Sequence, residues 1–276
     1  MDLKTLLDTP PWDWPRDTGK LLRRILTDER AGESDRLTAA RMAGEITVIN
    51  DELANCLTGI IRNPEAPVSL RAAAAISLGP VLEQADVHEI EDPEYVPVGP
   101  RTIRGIQDLL KQIHLDGSVP KELRRRSLEA AVRAPQDWQK QAIKTAYSSG
   151  DREWMLTAVF GMRRVRGFDK QILEALQSGD EEILCEAVDA AGNWELDAAW
   201  PRVLALVEDP GTPRNLLLAA IAAVGIIRPD DAREALEHLE HSDDEEIAEA
   251  VEDALIMSGV LDDEEKDEDT GRKWVN

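Results

Sequence analysis

A turn signal recurs along the chain at nearly regular intervals, and this repeat constrains the fold more than any other feature. The signals are centred on Asp28, Asn63, Asp116, Asp151, Asp180, Asp209 and Asp243. Successive intervals are 35, 53, 35, 29, 29 and 34 residues, so only one is out of line. A period of this length predicts an array of stacked supersecondary units.

Each unit has the pattern of two helices. The first is rich in alanine and often closes on glycine: 36–44 has the same spacing of small residues as 71–79, 184–192 and 217–225. The second carries leucine or isoleucine at helical spacing, as in 53–61. We expect the small residues to let neighbouring helices approach closely, and the closing glycines to adopt the left-handed cap conformation.

Composition favours helices throughout. The chain holds 33 alanines and 31 leucines, but only 4 tyrosines and phenylalanines together. Helices favour alanine and leucine, whereas strands favour β-branched and aromatic residues. The sequence therefore predicts an all-α protein, an α-solenoid of about six to seven stacked antiparallel helix pairs.

The helix pair with its Asp/Asn turn, the segment LRAAAAISLG and the leucine-rich second helix resembles the HEAT repeat. The similarity is to the short bacterial kind found in phycobilin-lyase-like HEAT proteins, and it runs from about residue 18 to residue 258. It implies a curved solenoid. HEAT proteins include scaffolds, lyases, hydroxylases and DNA glycosylases, so the resemblance does not fix the function.

Three segments depart from the repeat. Residues 1–17 include PPWDWP, which cannot be a helix interior, and we expect Trp12 and Trp14 to pack over the first repeat. The helical solenoid is expected over 18–260, with a proline-rich loop insertion at 86–100 that contains Tyr95. Residues 261–276 form an acidic tail that we expect to be disordered.

Charge is distributed unevenly. The whole chain carries −23, yet residues 101–175 hold 15 basic and 9 acidic side chains, a net +6. The residues of this basic middle that we expect to bind a partner are Arg124, Arg125, Arg126, Trp138, Lys140, Lys144, Tyr147, Arg163, Arg164 and Arg166. Three interpretations stay open: solvated helix faces with internal ion pairs, a site for an acidic protein segment, and a nucleic-acid site, which the acidic flanks disfavour.

No catalytic or metal site is predicted. Cys56 and Cys185 lie in apolar helical patterns and are expected to be buried, and no Ser nucleophile motif or glycine-rich phosphate loop is present. The paired His-Glu ligands of deoxyhypusine hydroxylase, a HEAT-type di-iron enzyme, have one counterpart, His88-Glu89. His238 and His241 are expected to be solvated.

These observations favour a non-enzymatic scaffold or adaptor without a cofactor, which binds another protein, with an acidic segment of that protein as one expected ligand. The alternatives are a lyase-type enzyme or chromophore-assembly factor, by HEAT-family analogy, and a nucleic-acid-binding HEAT protein. The chain shows no apolar run of eighteen residues and no signal-peptide pattern, so a cytoplasmic location without membrane contact is expected.

Overall fold

In a computed structural model, the chain forms two compact units, residues 1–145 and 146–276, and each is described by itself. The structure describes residues 3–88 and 96–259. These residues are helical with no β-strand, as predicted. Within the same ranges, no helix combines the length and the apolar character needed to cross a bilayer.

Unit 1 is a stack of helices in two layers. Its helices are α1 (Leu3–Leu7), α2 (Thr18–Thr27), α3 (Glu33–Met42), α4 (Asp51–Arg62), α5 (Val68–Ile76), α6 (Gly79–Val87), α7 (Pro100–Leu115) and α8 (Lys121–Ala131), and α9 (Asp137–Tyr147) begins in this unit. Helices α3, α5 and α8 pack side by side as one layer, and α2, α4 and α7 form the other. The pairs α2–α3, α4–α5 and α7–α8 join the layers, which confirms the predicted repeat of helix pairs.

Unit 2 repeats the same arrangement. Its helices are α10 (Arg152–Met162), α11 (Asp169–Ala175), α12 (Glu181–Asn193), α13 (Trp200–Glu208), α14 (Arg214–Ile227), α15 (Ala232–Leu236) and α16 (Glu245–Met257). Helices α10, α12, α14 and α16 pack in sequence as the alanine-rich layer. Helices α11, α13 and α15 pack against them as the second layer.

The recurring Asp and Asn residues end one helix or begin the next. Asp28, Asn63, Asp116 and Asp209 stand at the C-terminal ends of second-layer helices, and each side chain accepts a hydrogen bond from the backbone N–H two residues later, at 2.8–3.0 Å. Asp151 and Asp180 instead cap α10 and α12, where they accept from backbone N–H groups three residues later. Both devices satisfy backbone groups that a helix end leaves unpaired.

The closing glycines allow close packing between consecutive first helices, as predicted. A Cβ placed on Gly44 would lie 2.1 Å from the carbonyl oxygen of Ser77 at the end of α5. A Cβ on Gly225 would lie 2.6 Å from the carbonyl oxygen of Ala254 in α16. The predicted left-handed cap is wrong for both, since the described glycines with positive φ are Gly150, Gly167 and Gly259. These positions need glycine because of the neighbouring backbone and not because of their own conformation.

The N-terminal tryptophans behave differently from each other. Trp14 is half-buried against the core of unit 1, and its Nε1–H donates to the carbonyl oxygens of Leu6 and Thr9 at 3.2 and 2.8 Å. Trp12 is 77% exposed, so the prediction that it packs is wrong for this residue.

The proline-rich insertion is bounded by helices. Helix α6, which the sequence analysis did not predict, reaches Val87, and α7 begins at Pro100. Asp51, at the start of α4, accepts hydrogen bonds from the backbone N–H of Gly99 and the hydroxyl of Thr102. This carboxylate therefore fixes the first turn of α7. Residues 89–95, with Tyr95, and the predicted tail 261–276 lie outside the described residues.

Candidate functional site: the basic residues of the middle repeats

The three consecutive arginines of α8 have three different environments. Arg125 is 5% exposed, and its Nη2 lies 3.7 Å from Oε1 of the buried Glu129. Arg126 is exposed and donates from Nη1 to the other Glu129 oxygen at 2.6 Å. The prediction that Arg125 contacts a partner is wrong because its guanidinium is buried beside this carboxylate.

Arg124 is one of three arginines that bind the C-terminal end of the preceding helix, a role that was not predicted from the sequence. Arg36, Arg71 and Arg124 each donate to a carbonyl ten residues earlier, on the penultimate residue of α2, α4 and α7 respectively. The distances are 3.3, 3.0 and 2.9 Å. The carbonyls at a helix C-terminus lack intrahelical partners and carry partial negative charge, so a guanidinium stabilises them. Arg36 and Arg71 occupy the same position in their repeats, and this equivalence was the sequence signal for a shared structural role.

Trp138 is part of the packing between α7 and the start of α9. It is half-buried against the core, its ring centroid lies 5.5 Å from that of the buried His114, and its Nε1–H donates to Gln136 Oε1 at 2.9 Å. His114 Nδ1 donates to the Arg124 carbonyl at 3.2 Å. Burial lowers the pKa of His114, and the nearby charge of Arg124 lowers it further. Trp138 is thus held by its neighbours in unit 1.

Helices α7 and α9 carry five of the exposed basic side chains of unit 1. They are Arg101, Arg104 and Lys111 on α7, and Lys140 and Lys144 on α9. Within 3–88 and 96–259, no hydrogen bond or ion pair involves any of them. We call these five residues the α7–α9 basic face.

Helical spacing places the members of the α7–α9 basic face together on each helix. Arg101, Arg104 and Lys111 follow one side of α7, and Lys140 and Lys144 are one turn apart on α9. The contact between His114 and Trp138 joins the last turn of α7 to the first turn of α9. Lys140 and Lys144 were predicted from the sequence, whereas the two arginines of α7 were not, because their i, i+3 spacing alone does not show whether they are exposed or paired.

Tyr147, in unit 2, lies against α11. Its hydroxyl is 3.3 Å from the carbonyl oxygen of Gln171 and 3.4 Å from a carboxylate oxygen of Glu174, and it can donate to either. Burial raises the pKa of Tyr147, and the negative charge of Glu174 raises it further. The tyrosine therefore remains a neutral hydrogen-bond donor within its own unit.

The predicted arginines of unit 2 are engaged with the next repeat. Arg163 Nη1 lies 2.9 Å from Asp189 Oδ2 on α12. The guanidinium of Arg166 lies 4.6 Å from the ring centroid of Trp194, a cation–π contact. Arg164 is half-buried and also interacts within the chain. These residues link α10 to α12 and its C-terminal end.

The cysteines are half-buried, and not fully buried as predicted. Burial of part of each side chain nevertheless raises the pKa of both thiols, to about 11 for Cys185, where neighbouring acids add to the effect.

His238, predicted to be solvated, is exposed, and its Nε2 lies 3.2 Å from the Val207 carbonyl oxygen. In the ranges that the structure describes, no three His, Cys, Asp or Glu side chains converge as metal ligands.

Comparison with known proteins gives only distant likenesses. No family model and no curated protein matches the chain. Human deoxyhypusine hydroxylase, solved with glycerol, aligns at 16% identity and a TM-score of 0.42, over 93% of this chain and 88% of that one. The Escherichia coli protein YibA aligns at 17% identity and a TM-score of 0.46, over 89% and 83%. An engineered protein aligns at 17% identity and a TM-score of 0.42, over 90% and 82%.

The class of the protein follows from its own architecture. Each unit consists of helix pairs repeated along the chain and stacked in two layers. The chain is therefore an all-α helical-repeat protein.

Proposed function

We propose that this protein is a non-enzymatic scaffold of the HEAT type, which binds an acidic segment of another protein through the α7–α9 basic face. The observation that carries the proposal is the clustering of exposed cations without an internal partner in the described chain: three share one side of α7 and two share one side of α9. They stand in a protein of net charge −23.

Two exposed arginines of unit 2 have internal partners instead. Arg152 pairs with Asp180 and Glu182, and Arg214 pairs with Asp244 and Glu246, so each cation is neutralised by the following repeat. The cations of the α7–α9 basic face have no such partner in the described chain, although the exposed Asp108 lies beside Arg104 and Lys111 on α7, and an acidic segment would supply one. At physiological salt, charges farther away than about 8 Å are largely screened. A bound segment therefore interacts mainly with the nearby positive charges and much less with the acidic residues elsewhere in the protein.

A protein segment fits this surface better than nucleic acid does. Binding of single strands without sequence preference combines basic side chains with exposed aromatic rings on which bases stack. Trp138, the aromatic side chain of this region, is packed against His114. The raised thiol pKa values support a non-enzymatic role, because thiolate is the nucleophilic form of cysteine.

The test uses a fluorescein-labelled peptide of alternating glutamate and glycine, titrated with the full chain and followed by anisotropy. We expect binding that weakens with salt, and a loss of about tenfold or more in affinity for Lys140→Glu/Lys144→Glu, because two attractive charges become repulsive. The matched control is Arg16→Glu/Lys20→Glu, which reverses two exposed cations with the same four-residue spacing elsewhere in unit 1.

Two results would contradict the proposal. One is equal affinity of the wild type and Lys140→Glu/Lys144→Glu at low salt. The other is tighter binding of a single-stranded oligonucleotide of matched charge than of the peptide, which would support the nucleic-acid alternative.

A further inference from the structure

Unit 1 contains a cleft of about 580 Å³ that is separate from the α7–α9 basic face. It lies between α2 and α4, with Arg36 of α3 also contributing to its wall. Its size is within the range typical of small-molecule sites. Leu26, Ile60 and Ala66 line it from largely buried positions, and the other lining residues are mostly polar, including the Arg23–Glu52 ion pair.

Arg36 differs from its equivalents in the other repeats. Arg71 and Arg124 both bind the preceding helix through Nε. Arg36 uses Nη2 instead, at the longer distance of 3.3 Å. Its Nε is buried and has no hydrogen-bond partner in the described part of the chain. Arg36 nevertheless lines the cleft, and a guanidinium is suited to an anion with two oxygens.

Gly59 indicates that the cleft is open space. It lies inside α4, where glycine is unfavourable to a helix, and it lines the cleft. A Cβ at this position would meet no atom within 4 Å. Packing within the chain therefore does not require glycine here, in contrast to Gly44 and Gly225. The absence of a side chain at residue 59 leaves room beside Arg36 and Ile60.

We propose that this cleft binds a small organic carboxylate, with the carboxylate against Arg36 and the apolar body against Cys56, Gly59 and Ile60. The charge of the cleft favours an anion, because Glu52 balances Arg23 and leaves Arg36 as the uncompensated charge among the lining residues. Cys56 also lines the cleft, and its thiol provides a reporter of occupancy.

The experiment measures alkylation of Cys56 by neutral iodoacetamide in the full chain, by mass spectrometry. Cys185, with its pKa raised to about 11, serves as a slow internal reference. The probe is hexanoate, and hexanamide is the uncharged control. We expect hexanoate to slow alkylation of Cys56 about fivefold at about four times its dissociation constant, and hexanamide to have little effect.

Variants locate the site. Gly59→Phe fills the cleft without meeting the surrounding chain at Cβ, and should abolish protection by hexanoate. Gly105→Phe is the matched control, since Gly105 is a glycine inside α7 that also has open space around its Cβ and does not line the cleft. Arg36→Met should also abolish protection, and circular dichroism of each variant checks that it folds.

Three results would overturn the proposal: no protection of Cys56 by hexanoate, equal protection by hexanamide, or full protection in a folded Gly59→Phe variant. None of them bears on the α7–α9 basic face. Failure of this proposal is therefore distinguishable from failure of the proposed scaffold function.

Discussion

Replacement of Gly44 by alanine tests how consecutive first helices pack. The added Cβ would lie 2.1 Å from the Ser77 carbonyl oxygen and 2.8 Å from its carbon and Cα. Ordinary contacts begin near 3.4 Å, so the backbone of α5 must move by roughly 1 Å. The φ of Gly44 is not in the left-handed region, so the alanine meets a steric conflict and no conformational one.

The size of the effect follows from what must move. Overpacking a close contact costs about 1–3 kcal/mol, and the larger value applies where backbone has to shift. Helix α5 also packs against α8, so it cannot move without disturbing that contact. We therefore expect Gly44→Ala to lower the free energy of unfolding by about 3 kcal/mol.

Urea denaturation followed by circular dichroism measures this loss. The control is Gly105→Ala, where a Cβ meets no atom within 4 Å. That variant should be more stable than the wild type by about 0.5–1 kcal/mol, because alanine is the better helix former. A Gly44→Ala variant as stable as the wild type would refute the close-packing argument.

Two further predictions concern buried residues. Ala220 is 0% exposed, so Ala220→Asp should destabilise unit 2 by about 3–5 kcal/mol, measured by the same urea denaturation. An unchanged unfolding curve would show that the buried face of α14 is wrongly assigned. Burial lowers the pKa of His114 below its ordinary 6.5, so on acidification the unfolded chain is protonated at this residue before the folded chain is. The free energy of unfolding should therefore fall as the pH drops below 6.5, and level off below the folded-state pKa. The His114→Gln variant should lose up to about 1.4 kcal/mol per pH unit of this dependence, and an identical pH profile in the two proteins would contradict it.

The repeat was predictable because each helix pair encodes its own boundaries. Asp28 and Asn63 mark the ends of second-layer helices, and Asp180 marks the start of a first one. The close packing at Gly44 was also predictable from the small-residue spacing. The backbone conformation of Gly44 was not predictable. A glycine at a helix end can be required for a left-handed cap or for the close approach of another backbone, and only the position of α5 decides between them.

The binding site was only partly predictable. A sequence gives the charge of a segment, but not which charges are already paired. Arg125 and Arg126 are adjacent in sequence, yet one is buried beside Glu129 and the other is exposed. Lys140 and Lys144 could be identified because they share one side of a helix. Arg101 and Arg104 needed the structure, which shows them exposed and without partners in its described part.

Lysine footprinting tests the proposed binding face most directly. The full chain is acetylated briefly with and without a saturating amount of the glutamate–glycine peptide, and the modification rate of each lysine is measured by mass spectrometry. Lys20 is exposed and outside the α7–α9 basic face, and so is the internal reference. We predict slower acetylation of Lys111, Lys140 and Lys144 with peptide and an unchanged rate at Lys20. Unchanged rates at Lys140 and Lys144 under saturating peptide would contradict the proposal.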